Sequence, residues 1–315
     1  MADINALWSG LRANAELFSL DMAEFDKLEG FFRSADSDFF VDCAEKMLTN
    51  FPYSKVTAAF PAGDVEKFYF LCTVYNYQNA EKLYEKNNWP RKAFTDVTGD
   101  LKLWSETAMR DFGFFGLSAR IFSWQIDCFK GDVKQFGRLQ CNDIHFFAPR
   151  LSLYRQEGGG LKVLEAFQKD NPPDPDLTCG DKVICLHIPA SGPLEAGACI
   201  DSMKEMCRFC EAFYPDYDFK AVVCYSWLLD PQFREFLPES ANIIRFQKLG
   251  HNFPWPGRDE TQEIIWRLWG NPGLKMSPEE LPVSSTLQRG VVDFLKRGRR
   301  FGEGILVIFR DELAG

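Results

Sequence analysis

The sequence of 315 residues lacks the positive charge that nucleic-acid binding requires. It contains 36 Lys and Arg residues against 45 Asp and Glu residues, which gives a formal net charge of −9 and an isoelectric point near 5.1. A protein that binds phosphate backbones needs a concentrated positive surface. The composition therefore argues against a nucleic-acid partner and favours good solubility.

Long apolar runs and a leader pattern are also missing. No apolar run approaches the roughly 18 residues that a membrane span needs, and the N-terminal stretch MADINALWSGLRANAELF has no basic segment followed by an apolar one. The ten cysteines are scattered through apolar segments, as Cys72, Cys185 and Cys224 illustrate. This distribution favours buried thiols over disulfides. We expect a cytoplasmic protein without a membrane partner.

Several catalytic and metal-binding motifs are absent. The sequence contains neither G-x-G-x-x-G nor a Walker pattern, and no G-x-S-x-G elbow surrounds Ser191. Cys207 and Cys210 form a C-x-x-C, but no second pair has the spacing of a zinc site. We therefore expect no metal.

What the sequence does contain is a large apolar fraction. Hydrophobic residues make up 46% and aromatic residues 15%, with 30 phenylalanines, so the chain is expected to be globular. Helical periodicity dominates the first part. Ser37 is predicted to cap a helix, one long helix is predicted from Asp64 to Asn88, and Gly113 is predicted to end another helix in a left-handed conformation.

Strand patterns begin near Phe136. The sequence predicts strands in FGRLQCNDIHFF, KVICLHI, FKAVVCYSW, NIIRFQKL and GILVIF, a hairpin in LSLYRQEGGGLKVLEAF, and a helix over about Glu195–Phe213. This arrangement predicts an α+β protein with a helical N-terminal domain, residues 1–130, followed by a mixed domain, residues 131–315.

The stretch LHIPASGPLEAG, residues 186–197, joins one of these strands to the next helix. A small-residue turn before a helix presents unpaired N–H groups and the positive end of the helix dipole, which together bind phosphate. On spacing alone, an ordinary β-to-α connection is the more economical interpretation.

Five blocks of sequence carry a family resemblance: FGRLQ, LHIPASGPL, CYSWLLDP, SANIIRFQ and SSTLQRGVVDFLKRGRRFGEG. Through them the chain resembles the bacterial acyltransferases that pair a helical N-acyltransferase N-terminal domain with a GNAT-like C-terminal domain. The resemblance implies a mixed, splayed sheet flanked by helices, in which KVICLHI and KAVVCYSW are the two strands that separate around acyl-coenzyme A.

The resemblance also implies a coenzyme A site at the turn. Its expected binding residues are Ile188, Ser191, Gly192, Ala196, Gly197, Ala198 and Arg289. The turn departs from the family loop, which reads Gln or Arg, x, x, Gly, x, Gly or Ala, and Pro193 removes one donor. The basic run after Lys296 is either a contact for the 3′-phosphate or, as we prefer, a solvated helix end.

Acyl transfer to an amine needs a base and an acid. By family position, His187 is the candidate base and Tyr225 the candidate acid, although a structural histidine and a core tyrosine are the competing interpretations. Asp143, His145 and Glu165 are ranked lower.

The leading hypothesis is therefore transfer of an acyl group, such as acetyl, from coenzyme A to an amine. An alternative is a coenzyme-A-binding or interaction module that has lost catalysis, and the weakest is a hydrolase that uses Ser191 or Cys224.

Overall fold

The computed structural model describes residues 3–313. The chain divides into two compact units, Met1–Gln135 and Phe136–Gly315. The first is helical up to the strand at its end, and the second contains the other strands. The assignment of residues 1–130 and 131–315 as two domains stays a prediction.

In the described part of the first unit, ten helices follow one another with short connections. They are α1 (Ile4–Leu17), α2 (Met22–Asp26), α3 (Glu29–Ser34), α4 (Ser37–Glu45), α5 (Tyr53–Ala59), α6 (Asp64–Tyr75), α7 (Tyr77–Lys86), α8 (Arg91–Thr98), α9 (Asp100–Phe112) and α10 (Ala119–Lys130).

Aromatic side chains fill the core of this unit. Trp8 stacks on Phe25 with ring centroids 5.1 Å apart, and Tyr69 stacks on Phe122 at 4.5 Å. All four side chains are buried. The phenylalanine-rich composition thus supplies ring-on-ring packing, which adds to the stabilisation from apolar burial.

Two helix boundaries test the capping predictions. The predicted cap at Ser37 is wrong, because Asp36 is the N-cap and its carboxylate accepts the Phe39 N–H at 2.8 Å. Both residues are good caps by type, and the sequence did not distinguish them. The prediction for Gly113 is confirmed, since this residue ends α9 with φ 76° and ψ 13°.

The single helix predicted from Asp64 to Asn88 is also wrong, because it is divided into α6 and α7 at Asn76. The Asn76 amide nitrogen donates to the carbonyl oxygens of Ala44 and Cys72, both at 2.9 Å. An asparagine that bonds to the backbone competes with continuation of the helix. The tertiary contact to Ala44 fixes this break.

The strands of the described chain are β1 (Val133–Phe136), β2 (Leu139–Phe146), β3 (Leu151–Arg155), β4 (Leu161–Glu165), β5 (Leu177–Thr178), β6 (Lys182–His187), β7 (Ala221–Ser226), β8 (His251–Trp255) and β9 (Glu303–Phe309). β1 crosses the boundary at Gln135, and the other strands lie in the second unit. Six strands form a mixed sheet in the order β1-β2-β6-β7-β9-β8. A second, three-stranded sheet has the order β4-β3-β5.

Five helices and two 3-10 turns complete the unit. The helices are α11 (Ala196–Phe213), α12 (Asn242–Gln247), α13 (Thr261–Gly273), α14 (Thr286–Lys296) and α15 (Arg310–Leu313), and the 3-10 turns are Trp227–Leu229 and Pro231–Glu235. Asp230 caps the second turn by accepting the Gln232 N–H at 2.9 Å. Within residues 3–313, no helix combines the length and apolarity that crossing a membrane requires.

The predicted strand NIIRFQKL is wrong. Its first six residues form the helix α12, and the strand follows instead at His251–Trp255. Gln247, which is fully buried, donates to the Leu228 and Asp230 carbonyl oxygens at 2.9 and 3.1 Å. Tertiary packing of a helical face here overrides the β-propensity of the isoleucines.

Gly304 allows the segment after β7 to pack closely on β9. A Cβ atom at this position would lie 1.9 Å from the Leu229 carbonyl oxygen. Gly304 pairs with Ser226, the last residue of β7. Glycine is therefore required where the backbone crosses the end of the sheet.

Candidate active site

The site begins where β6 and β7 stop pairing. These two strands run parallel, and their last pair joins Leu186 to Cys224. One residue further on, His187 pairs across β2 and Tyr225 pairs across β9. Each strand therefore stays paired with its outer neighbour at the position where the pairing between β6 and β7 has ended.

His187 and Tyr225 lie on the same face of the sheet. Cys185 and Val223 are buried in one hydrophobic cluster, and Tyr225 packs against it. Side chains alternate along a strand, so His187, two residues after Cys185, shares that face. The structure thus brings both predicted catalytic residues to neighbouring strand ends.

His187 is held by Asn142 on β2. Its Nε2 lies 2.7 Å from the Asn142 Oδ1. An amide oxygen accepts hydrogen bonds only, so Nε2 carries the proton and Nδ1 is the basic nitrogen. Burial lowers the pKa of His187 to about 4, and the nearby His145 acts in the same direction. The imidazole is therefore neutral at neutral pH.

Tyr225 is anchored between aromatic rings. Its ring centroid lies 5.0 Å from that of Trp255 and 6.5 Å from that of Phe147. The hydroxyl oxygen accepts the Ala148 N–H at 3.4 Å. Burial raises the pKa of Tyr225, and neighbouring thiols and Glu303 raise it further. The phenol therefore keeps its proton throughout the physiological range.

Glu303 is a residue that the sequence patterns did not reveal. It begins β9, its side chain is 17% exposed, and its Oε2 lies 3.9 Å from the Arg258 Nε. Its charge contributes to the raised pKa values of Tyr225 and Cys185. No spacing marked this glutamate, because it approaches β6 and β7 only through sheet pairing.

The turn after β6 ends at Glu195, whose carboxylate caps the first turn of α11. Glu195 is the N-cap of α11, and its side chain accepts the Ala198 N–H at 2.7 Å. Hydrogen bonds from the Ala198 and Gly197 N–H groups lower the pKa of Glu195. The helix was expected to begin at Glu195 itself. Two of the N–H groups expected to bind phosphate are thus already bound to an anion.

Arg138, in the β1–β2 connection, fixes the middle of the turn. Its Nε donates to the Pro193 carbonyl oxygen at 2.8 Å and its Nη2 to the Gly192 carbonyl oxygen at 3.2 Å. Gly192 has φ 69°, and both Ser191 and Gly192 are exposed. The turn therefore presents small side chains to solvent on a backbone that is tied to the sheet.

Arg289 and the basic run lie on and after α14. Arg289 is exposed. In the basic run, Arg299 is paired with Glu235 at 2.5 Å and Arg300 with Asp259 at 2.7 Å. Both guanidinium groups are therefore paired with carboxylates of the chain, and the role of the basic run stays a prediction.

The lower-ranked candidates differ in burial, and one of them, His145, lies near His187. Cys224 is buried and its pKa is raised well above the usual value by desolvation, which makes it a poor nucleophile. Asp143 is buried, His145 half-buried, and Glu165 exposed at the end of β4. Among residues 3–313, no group of three or more His, Cys, Asp or Glu side chains is arranged to hold a metal ion.

The lowered pKa of His187 predicts how the free energy of unfolding depends on pH. Because its pKa lies near 4 in the folded protein and near 6.5 in the unfolded chain, the unfolded state binds more protons between these values. Unfolding free energy must therefore fall as pH decreases from 6.5 to 4. We expect His187→Gln to reduce this fall by about 2–3 kcal/mol.

Urea titrations of both proteins between pH 4 and pH 9 measure the effect. Wild type and variant should change in parallel between pH 7 and pH 9, where both states of the histidine are neutral. Parallel curves over the whole range would contradict a half-buried His187 whose pKa is lowered in the folded protein.

The chain resembles solved acyltransferases over almost its full length. An acyltransferase in complex with decanoyl-CoA is 20% identical, with 94% of this chain and 86% of that chain covered and a TM-score of 0.69. An acyltransferase with decanoyl-CoA and teicoplanin is 18% identical, with 95% and 87% covered and a TM-score of 0.68. At these identities the likeness concerns the fold.

Sequence comparisons add the family. No curated protein sequence matches the chain. Residues 133–306, more than half of the chain, match the family described as GNAT-like C-terminal domain. This range includes β6, the turn, β7 and Glu303, which are the parts from which the site is built. The chain therefore belongs to the family of proteins with a GNAT-like C-terminal domain.

Proposed function

We propose that this protein transfers an acyl group from coenzyme A to an amine. The observation that carries the proposal is the end of the β6–β7 pairing, where a neutral imidazole and a protonated phenol occupy the same face. Family membership and the fold shared with solved acyltransferases support it.

The reaction replaces a thioester by an amide. The amine nitrogen attacks the carbonyl carbon, a C–N bond forms and the C–S bond breaks, while the nitrogen loses a proton and the sulfur gains one. We assign removal of the nitrogen proton to Nδ1 of His187, which is unprotonated at neutral pH. We assign delivery of a proton to the sulfur to Tyr225, whose phenol remains protonated.

The turn before α11 is the proposed phosphate contact. Its donors suit an anion, because the Gly197 and Ala198 N–H groups already stabilise the Glu195 carboxylate. The exposed residues Ser191 and Gly192 permit close approach of the pyrophosphate. We infer that Ile188, Ala196 and Arg289 complete the site, and that the Glu195 carboxylate moves away when the pyrophosphate binds.

The acyl chain and the acceptor are open to experiment. Solved relatives of the fold hold decanoyl-CoA, and one holds decanoyl-CoA with teicoplanin. Acyl groups longer than acetyl are therefore to be tested beside acetyl, each with amine acceptors. A cytoplasmic location is part of the same proposal, since acyl-coenzyme A must be available.

Release of free thiol from acetyl-CoA and decanoyl-CoA, measured with a panel of amines, tests the function. Wild type should release thiol only when an amine is present. Tyr225→Phe should lower kcat by about 100-fold with little change in acyl-CoA affinity, because it removes the proton donor. Tyr154→Phe is the control, since Tyr154 lies on β3 and its hydroxyl bonds to the Pro172 carbonyl oxygen.

The competing possibility is a module that binds coenzyme A without catalysis. It predicts a thermal shift with acyl-CoA but no thiol release with any amine. That result would contradict acyl transfer and leave coenzyme A binding intact.

Glu195 gives a prediction for the phosphate contact. Glu195→Ala removes a negative charge that competes with the pyrophosphate for the same N–H groups. We expect coenzyme A to bind about fivefold more tightly to the variant, as measured by calorimetry. Glu205→Ala, further along α11, is a charge-matched control and should leave the affinity unchanged.

Ligands that lack successive phosphate groups show which group of coenzyme A the Glu195 substitution affects. The gain in affinity should persist with dephospho-coenzyme A, which keeps the pyrophosphate, and vanish with pantetheine, which lacks it. Equal affinity of wild type and Glu195→Ala for all three ligands would contradict phosphate binding at α11.

A further inference from the structure

Phe167 has an unusual backbone conformation for its residue type. Four non-glycine residues in the described part of the chain have positive φ, and three of them are Ser19, Asn88 and Asp174. Short polar side chains tolerate the left-handed region, whereas a bulky side chain there is a strained exception. Phe167, with φ 64°, is that exception.

Burial does not compensate this strain. The Phe167 side chain is 72% exposed, the highest value among the large exposed hydrophobic residues in residues 3–313. A single exposed apolar side chain is ordinary. An exposed aromatic ring on a strained backbone is unusual, because such strain concentrates at ligand-binding positions.

The turn around Phe167 is held on both sides. The Ala166 N–H donates to the Arg150 carbonyl oxygen at 2.8 Å. The Asn171 side-chain amide donates to the Glu165 carbonyl oxygen at 2.7 Å. These bonds fix the backbone before and after the ring, so the ring is presented outward from a preorganised turn.

The same turn is connected to the candidate active site through residues 148–150. Arg150, which binds Ala166, is two residues from Ala148, a distance of at most about 7 Å along the chain. The Ala148 N–H donates to the Tyr225 hydroxyl at 3.4 Å. Both Ala148 and Arg150 are exposed. A short, hydrogen-bonded path therefore connects Phe167 to the face that carries Tyr225 and His187.

We propose that Phe167 determines acceptor specificity by contacting an apolar or aromatic group next to the acceptor amine. This inference rests on the proposed acyl transfer. An amine must approach the thioester at the ends of β6 and β7, and the Ala166–Arg150 hydrogen bond joins the Phe167 turn to the segment that contacts Tyr225 there. A phenyl ring held in one backbone conformation offers a large contact area at a small cost in conformational entropy.

The experiment compares matched amines with and without a ring. Initial rates are measured with 2-phenylethylamine and ethylamine, at saturating concentration of the acyl-CoA that wild type uses best. Phe167→Gly should raise the KM for 2-phenylethylamine about tenfold and leave its kcat and both constants for ethylamine unchanged. Phe167→Asn should behave in the same way, whereas Phe167→Tyr should keep the wild-type preference.

Stability separates a binding role from misfolding. Gly and Asn both tolerate positive φ, so the melting temperatures of these variants should equal or exceed that of wild type. Leu274→Asn, at another exposed apolar position, should keep the wild-type ratio of kcat/KM for the two amines.

Two results overturn the inference in distinguishable ways. An unchanged kcat/KM ratio in Phe167→Gly and Phe167→Asn, with an active wild type, refutes the role of Phe167 alone. A wild type that acylates no member of an amine panel refutes the proposed function, and the specificity role fails with it.

Discussion

The end of the parallel pairing between β6 and β7 is the constraint on which the proposed chemistry depends. Below Leu186 and Cys224 the two strands are buried and fully paired. Beyond this point each strand keeps its antiparallel outer neighbour. The pairing therefore ends without leaving either strand unsupported, and it ends where His187 and Tyr225 lie on neighbouring strands in a partly desolvated setting that keeps both groups uncharged.

Two charged side chains shape the entrance at the turn. Arg138 ties the Gly192 and Pro193 carbonyl oxygens to the β1–β2 connection. Glu195 satisfies N–H groups at the start of α11. A helix start that stabilises an internal carboxylate also has the polarity to stabilise a phosphate. The turn departs from the family loop in sequence, and the start of α11 stabilises the Glu195 carboxylate.

Elements that depend on local patterns could be predicted from the sequence. The sequence predicts the apolar strands β6, β7 and β9, the helix α11 and the left-handed end at Gly113, and the structure has each of them. Four features could not be predicted, because each depends on a partner far away in sequence. They are the break at Asn76, the helix α12, the Asn142–His187 hydrogen bond and the position of Glu303 near Tyr225. Nothing in the local sequence marks the backbone conformation of Phe167.

The central claim is that acyl-coenzyme A binds between β6 and β7 with its thioester near His187 and Tyr225. A crystal structure of the protein grown with saturating decanoyl-CoA tests it most directly. We predict density for the pantetheine arm between the two strands and for the pyrophosphate at Gly197 and Ala198, with Glu195 displaced. Density for decanoyl-CoA elsewhere on the chain, or an undisturbed Glu195 cap with no ligand between the strands, would contradict it.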